Sequence, residues 1–168
     1  MQATEELLLD EKMEDLSQEG QFLTFAIAKQ QYGIDIKSVT EIIGVQKITD
    51  LPDLPSFVKG VINLRGKVIP VIDVRLRFGM DERAYDERTC IVVVNINDTS
   101  VGLVVDTVSE VMNIPESNIE APPKINKKAD GNRFVKGLGK IDEDVKIILD
   151  TQKLLFEEEL DQIKASVN

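Results

Sequence analysis

Short apolar runs separated by turn-forming residues follow one another through the middle of the chain. Residues 22–27 alternate so that every second side chain is apolar and falls on one face of an extended strand. Residues 61–64 and 68–72 are two further apolar runs, and they flank Arg65-Gly66, a pair typical of a tight hairpin turn. This spacing predicts antiparallel strands joined by short turns.

The same pattern occurs twice more. Residues 90–96 and 101–105 flank a polar turn at 97–100, and residues 134–138 and 145–149 flank the acidic turn 142–144. Valine and isoleucine number 18 each against 15 leucines, and β-branched side chains favour strands. Regularly spaced short strands are typical of an antiparallel barrel or sandwich.

Two details suggest how these strands are arranged. The continuous apolar run 91–94 indicates a strand buried on both faces, as at a seam between two barrels. Two apolar strands that each end in aspartate, at Asp73 and Asp106, hint at two similar lobes. The chain is therefore expected to be mostly β, with two lobes meeting along a shared strand.

Helical patterns are few. Asp35 is expected to cap a short helix that ends at Gly44. Its apolar positions are Ile36, Val39, Ile42 and Ile43. Thr151 is expected to cap a C-terminal helix that runs through Leu154, Leu155 and Leu160.

The composition of the 168-residue chain narrows its chemistry. There is no histidine and only one cysteine, which excludes Ser-His-Asp catalysis, histidine-ligated metals, iron–sulfur sites and a disulfide framework. The net charge of −10 disfavours sustained contact with the phosphate backbone of nucleic acid. No apolar run approaches a membrane span and no signal-peptide pattern is present, so a cytoplasmic protein is expected.

Most of the acidity lies at the two ends. Residues 1–20 hold seven acids and one lysine, and residues 150–168 hold five acids and two lysines. The intervening stretch is almost balanced, with 18 acids and 17 bases. We therefore expect an acidic tail over 1–20, one folded domain over 21–155, and an acidic helix or tail over 156–168.

Carboxylates are the remaining catalytic candidates. Asp73 and Asp106 each follow an apolar strand, so a pair that shares one proton is conceivable. Neither aspartate is followed by the Thr/Ser-Gly sequence of an aspartic-protease loop, and aspartates at strand ends usually cap turns. Reasoning from the residues alone favours a non-enzymatic β module that binds partners, with a small carboxylate enzyme as the alternative.

Residues 57–75 closely resemble the signature of the CheW family of bacterial chemotaxis coupling proteins. Further similar segments follow the family's order along the chain, at 32–36, 39–42, 101–106 and 137–139. The resemblance extends over roughly residues 21–155.

The resemblance implies a fold and a function. The fold is two small five-stranded SH3-like β-barrels packed around a shared core, with a short helix and a C-terminal helix. The function is a cytoplasmic adaptor, monomeric when free, that couples chemoreceptor tips to the regulatory domain of the histidine kinase CheA in membrane-associated arrays. The family implies no catalysis, no cofactor, no nucleic acid and no insertion into the membrane.

The resemblance also points to site residues. The positions that match receptor-binding positions of the family are Val39, Glu41, Gly60, Arg65 and Gly102. Val39 is expected to supply apolar contact, and the glycines to permit close approach of a backbone. Arg65 can donate several hydrogen bonds to a receptor, and Glu41 can pair with a receptor cation or orient Arg65.

A second set of positions is implied for the kinase. It lies in the loop that includes Glu120, Lys124 and Ile125, where Ile125 replaces an aromatic residue found in some relatives. An alternative use of the same fold is a detached regulatory domain of a kinase, or the coupling half of an adaptor with a receiver domain. The chain is too short for the additional domains of either.

Overall fold

The strands lie in two sheets, which we call the first and second lobes. The computed structural model describes residues 19–122 and 133–167. In chain order the first six strands are β1 (Gln21–Ile27), β2 (Gln30–Asp35), β3 (Val39–Gly44), β4 (Val58–Leu64), β5 (Lys67–Asp73) and β6 (Cys90–Ile96). The others within these residues are β7 (Thr99–Val105), β8 (Thr107–Asn113), β9 (Ile119–Glu120), β10 (Val135–Ile141) and β11 (Asp144–Leu149).

The first lobe is a six-stranded sheet in the order β8-β1-β2-β11-β10-β9, and the second is a five-stranded sheet in the order β3-β6-β7-β5-β4. Two α-helices are present in the described part of the chain, α1 (Val74–Arg77) and α2 (Glu157–Val167). The prediction of a mostly β protein with two barrel-like lobes is confirmed. The strands expected around the three predicted turns are present as β4–β5, β6–β7 and β10–β11.

The chain crosses between the two lobes twice. The hairpin β1–β2 belongs to the first lobe, but the next strand, β3, crosses over and pairs with β6 of the second lobe. The hairpin β6–β7 belongs to the second lobe, and the strand that follows it, β8, crosses back to pair with β1. The second sheet therefore combines β3–β5 from the first half of the chain with β6 and β7 from the second half, and the first sheet combines β1 and β2 with β8–β11.

The strand β6 lies at the seam between the lobes. Val92 and Val94 are fully buried in the main core, together with Leu23 and Phe25 of β1. Ile91 and Val93 point the other way, into a separate cluster inside the second lobe. The predicted burial of residues 91–94 on both faces is confirmed, and each such side chain contributes about 1.5–3 kcal/mol through removal from water.

The predicted helix between Asp35 and Gly44 is wrong. Asp35 does cap a turn, because its carboxylate accepts a hydrogen bond from the Lys37 amide at 2.9 Å, but the turn is a single 3₁₀ turn over Ile36–Ser38. Strand β3 follows immediately and pairs with β6. Its β-branched residues suit a pleated surface, and the edge of β6 satisfies backbone groups that a helix would pair internally.

The two lobes repeat one hairpin design. The segments 57–73 and 134–150 both begin with Phe-Val-Lys-Gly and end with aspartate. The Asp73 amide donates to the Phe57 carbonyl at 2.8 Å, and the Asp150 amide donates to the Phe134 carbonyl at the same distance. Both hairpins have a register shift at the glycine. The counterpart of Asp73 is thus Asp150, and the similarity expected between Asp73 and Asp106 is wrong.

The C-terminal helix begins later than predicted. Residues Thr151–Lys153 form a 3₁₀ turn whose cap is Asp150, which accepts a hydrogen bond from the Gln152 amide at 3.0 Å. Thr151 is buried and its hydroxyl contacts Ser38 instead. Helix α2 starts at Glu157 and buries Leu160 and Ile163 in the main core.

Arg77 ties both lobes to this helix. Its guanidinium lies over the rings of Phe57 and Phe134, at 4.4 and 4.9 Å from the ring centroids. It also makes two hydrogen bonds to Glu159, at 2.9 and 3.2 Å, and one to the Leu154 carbonyl at 2.7 Å. Since the Arg77 side chain is only 9% exposed, these contacts are largely shielded from water.

No helix in the described residues has the length and apolar character needed to cross a membrane.

The position of Arg77 generates a prediction for stability. Replacing Arg77 with Met should lower the free energy of unfolding by about 3 kcal/mol, because Glu159 loses its partner in a shielded site. Urea denaturation measures this difference. The exposed Arg88 provides the matched control, and Arg88→Met should change stability by less than about 0.5 kcal/mol. Equal stability of the two variants would contradict the proposed role of Arg77.

Candidate recognition surface

The tip of the β4–β5 hairpin presents an arginine to solvent. Arg65 and Gly66 form the two-residue turn, with φ angles of +52° and +84°. Two positive φ angles match the twist of a tight hairpin, and the Asn63 side chain supports the turn by accepting a hydrogen bond from the Gly66 amide at 2.8 Å. The Arg65 side chain is 71% exposed. The turn predicted from the sequence is therefore present.

Glu41 of β3 holds this arginine in place. Arg65 donates to both carboxylate oxygens of Glu41, with one Nη1–Oε2 distance of 2.9 Å. The hydrogen bond from Arg65 lowers the pKa of Glu41, and the reciprocal interaction raises the pKa of Arg65. Both groups therefore stay charged at neutral pH. Glu41 lies on strand β3. The helix that was predicted between Asp35 and Gly44, and that would have included Glu41, is not formed.

Three of the five predicted receptor-binding residues lie in one row across the second lobe. Glu41 of β3 pairs with Val93 of β6, and Val93 pairs with Gly102 of β7. Gly102 pairs with Val71 of β5, which in turn pairs with Gly60 of β4. The row thus crosses all five strands of the sheet, from one edge to the other.

Gly60 permits the closure of this sheet. In the segment after β3, Thr49 exchanges two backbone hydrogen bonds with Val61 of β4, at 2.8 and 2.9 Å. This bridge joins the segment that follows β3, one edge strand, to β4, the other edge strand. A Cβ atom at Gly60 would lie 2.0 Å from the Thr49 carbonyl oxygen, and the Gly60 φ angle of +139° is rarely adopted by other residues. The backbone that closely approaches Gly60 belongs to the chain itself.

Gly102 has a similar internal role. A Cβ atom there would lie 2.8 Å from Cγ2 of Ile91 and 3.4 Å from Cγ2 of Val71, inside the cluster of the second lobe. Val39 is half-buried, pairs with Val94 and packs against the main core. Among the five residues, only Glu41 and Arg65 therefore offer polar groups at the surface, and the other three shape the sheet beneath them.

The second predicted surface is described only in part. Glu120 lies on β9 at the edge of the first lobe, is exposed, and forms an ion pair with Lys140 at 2.6 Å. Lys124 and Ile125 lie outside the described residues. Their proposed contact with a kinase stays a prediction.

The two aspartates that suggested catalysis are engaged in other contacts. Asp73 accepts hydrogen bonds from the Tyr85 hydroxyl at 2.7 Å and from the Leu76 amide, so it caps α1. Asp106 accepts hydrogen bonds from the side chain of Arg75 and from the Ala28 amide. Burial raises the pKa of Asp106, but these hydrogen bonds outweigh it and hold the pKa below the usual value.

The space beside both aspartates measures about 10 Å³, roughly enough for a single water molecule and too small for a substrate. Within residues 19–122 and 133–167, no three Cys, Asp or Glu side chains are grouped to hold a metal ion. The converging, accessible acids that would favour the carboxylate enzyme are therefore not found at this pair.

Sequence reasoning missed two residues that build the surface. Thr49 closes the sheet, and Asn63 supports the turn that presents Arg65. The asparagine just ahead of an Arg-Gly turn is a local pattern that could have been recognised. The role of Thr49 depends on tertiary pairing and has no local sequence pattern.

A two-lobed β protein with an ordered charged pair on an exposed rim is a module that recognises partners through its surface. Residues 21–159 match the family model of the CheW-like domain. The chain belongs to the CheW family.

Individual relatives agree with this assignment. The chain is 39% identical over 140 residues to the chemotaxis protein CheW of Klebsiella aerogenes. The aligned residues cover 83% of this chain and 84% of the relative. It is 29% identical to the chemotaxis protein CheW of Treponema pallidum, covering 85% and 86%. The crystal structure of the scaffolding protein TtCheW from Thermoanaerobacter tengcongensis superimposes with a TM-score of 0.76 at 38% identity, covering 83% of this chain and 94% of that one.

The closure of the second lobe generates a prediction. Gly60→Ala should lower the free energy of unfolding by at least about 2 kcal/mol, because the added methyl group meets the Thr49 carbonyl and the backbone conformation is strained. Gly44→Ala is the matched control, since nothing lies within 4 Å of a Cβ atom at that position. Thermal unfolding measures both. Similar melting temperatures for the two variants would show that Gly60 does not permit this closure.

Proposed function

We propose that this protein is a non-enzymatic adaptor that couples the cytoplasmic tips of chemoreceptors to the histidine kinase CheA. Membership of the CheW family supports this role, and the related proteins are named for chemotaxis and scaffolding. The observation that carries the proposal is the oriented, exposed Arg65 guanidinium on the rim of the second lobe. The free protein is a cytoplasmic monomer that is recruited to membrane-associated receptor arrays.

Arg65 is the central receptor contact in this proposal. A guanidinium has five N–H donors, and Glu41 leaves several of them available. They can donate to a carboxylate or to the carbonyl groups at the end of a receptor helix. Because Glu41 already fixes the side chain, less conformational entropy is lost when the receptor binds.

The apolar part of the contact lies nearby. Val68 is 46% exposed and follows Arg65 in the same hairpin, so it can pack against an apolar face of a receptor helix. Val39, Gly60 and Gly102 contribute by setting the shape of the sheet beneath the contact. A substitution at either glycine is expected to act on receptor binding through this shape.

A separate surface contacts the regulatory domain of the kinase. The proposed residues are Glu120, Lys124 and Ile125, of which Glu120 is exposed at the edge of the first lobe. Its partner Lys140 is also exposed, so the ion pair can be exchanged for a contact with another protein at little cost. The two partners thus meet different lobes and can be bound together.

The role of Arg65 can be tested by direct binding. Arg65→Glu should weaken binding of a receptor cytoplasmic fragment at least about tenfold, because the guanidinium donors are lost and a carboxylate is introduced. Binding of the kinase regulatory domain should be unchanged. Arg88→Glu is the matched charge reversal elsewhere on the surface and should leave both affinities unchanged. Isothermal titration calorimetry with each partner measures these outcomes.

A double variant separates contact from stability. Glu41→Arg combined with Arg65→Glu restores an ion pair on the rim but moves the guanidinium to the other strand. If Arg65 touches the receptor, this variant should bind as weakly as Arg65→Glu. Recovery of receptor binding would show that only the ion pair matters, and failure of the unaltered protein to bind either partner would overturn the adaptor proposal.

A further inference from the structure

The first lobe has an open apolar pocket of about 370 Å³ at one end. Its floor includes the buried side chains of Phe22, Ile114 and Ile148. Lys136 and Glu120 lie at its edge. Glu116 also belongs to the lining, so the pocket combines apolar side chains with one cation and two carboxylates.

The duplicated hairpins define the corresponding place in the second lobe. Leu23 pairs with Ile34 in the first lobe, as Val92 pairs with Leu103 in the second. The hairpin β1–β2 therefore corresponds to β6–β7, and Phe22 corresponds to Ile91. The hairpin β10–β11 corresponds to β4–β5, so Ile148 corresponds to Val71 and Lys136 to Lys59. The corresponding residues Ile91 and Val71 lie together in the cluster of the second lobe.

The second lobe covers this place with its own loop. Tyr85 packs against the cluster that contains Val71 and Ile91. The Lys59 ammonium lies 5.9 Å from the centre of the Tyr85 ring and also pairs with Glu82, three residues earlier in the loop. In the second lobe this place is thus occupied by an aromatic side chain, Tyr85, and by an acidic side chain three residues before it, Glu82.

The first lobe has counterparts of the residues that contact Tyr85 and Glu82, but it has no counterpart of Tyr85 or Glu82 in its sequence. Before β1, the positions that correspond to Glu82 and Tyr85 are Met13 and Leu16, which lie outside the described residues. Neither of these two sequence positions therefore holds an acid or an aromatic residue. Lys136, the counterpart of Lys59, has a half-open pocket beside it.

We propose that the first-lobe pocket binds a loop of a partner protein that carries the sequence acidic–x–x–aromatic. The aromatic ring enters the pocket over Phe22 and Ile148, where burial of its apolar surface drives binding. The acidic side chain pairs with Lys136, which also lies near the ring face as Lys59 does in the second lobe. The pocket shares Glu120 with the proposed kinase surface, but the argument for its occupant follows from the duplication of the lobes and uses neither the receptor contact nor the kinase contact.

The chain itself supplies the probe for the test. A synthetic peptide with the sequence of residues 80–89, Met-Asp-Glu-Arg-Ala-Tyr-Asp-Glu-Arg-Thr, is titrated into the full-length ¹⁵N-labelled protein. Amide shifts are expected at the lining residues of the first-lobe pocket. Peptides with Tyr85→Ala or Glu82→Lys should bind at least fivefold more weakly.

Protein variants locate the site. Lys136→Glu should weaken binding at least fivefold, whereas Lys146→Glu on the neighbouring strand is the matched control and should not. Ala121→Trp places a large side chain at the edge of the pocket and should abolish binding while the protein stays folded by its amide spectrum. These results would support the proposal.

Three results would overturn it. The peptide could cause no shifts, could shift only residues of the second lobe, or could bind Lys136→Glu as well as the unaltered protein. Tighter peptide binding by Leu16→Asp would also overturn it, because that result would identify the chain's own N-terminal segment as the occupant. None of these outcomes changes the calorimetric test of receptor and kinase binding, so the two proposals fail separately.

Discussion

The rest of the structure depends on the burial of β6 on both of its faces. One face of this strand completes the main core shared with β1, and the other completes the interior of the second lobe. A strand in this position cannot expose either face without a large loss of buried apolar area. The two crossings of the chain between the lobes follow the same logic, since each sheet combines strands from both halves of the chain.

The recognition surface depends on these crossings. Glu41 reaches Arg65 because β3 crosses into the second lobe and forms one edge of the same sheet that contains the β4–β5 hairpin. The bridge between Thr49 and Val61 then joins that edge to β4, and Gly60 provides the space for it. The exposed charged pair is therefore positioned by backbone pairing that extends across the whole sheet. A receptor contact at Arg65 would use a side chain whose orientation is set in advance.

Local sequence patterns predicted the features that local physics determines. The Arg65-Gly66 turn, the strands beside it and the seam at β6 follow from turn chemistry and apolar periodicity. The helix expected between Asp35 and Gly44 was wrong because the four-residue spacing of Val39 and Ile43 fits both the helical and the strand period, and pairing with β6 decided in favour of a strand. The ion pair between Glu41 and Arg65 was one of two options, because no local pattern shows which residues the crossover brings together. The repeat of Phe-Val-Lys-Gly was visible in the sequence. Only the strand registers show that the two segments form equivalent hairpins, one in each lobe.

Native-state hydrogen exchange tests most directly whether the two lobes, each built from both halves of the chain, unfold as one unit. The amides of Ile34 in β2 and Leu103 in β7 report on the buried hairpin of each lobe. If the chain crossings and the shared burial of β6 couple the lobes, both amides should exchange only through global unfolding, with the same free energy of opening and the same dependence on denaturant. Exchange of one amide through an opening that leaves the other protected would contradict the account, because the lobes would then unfold separately.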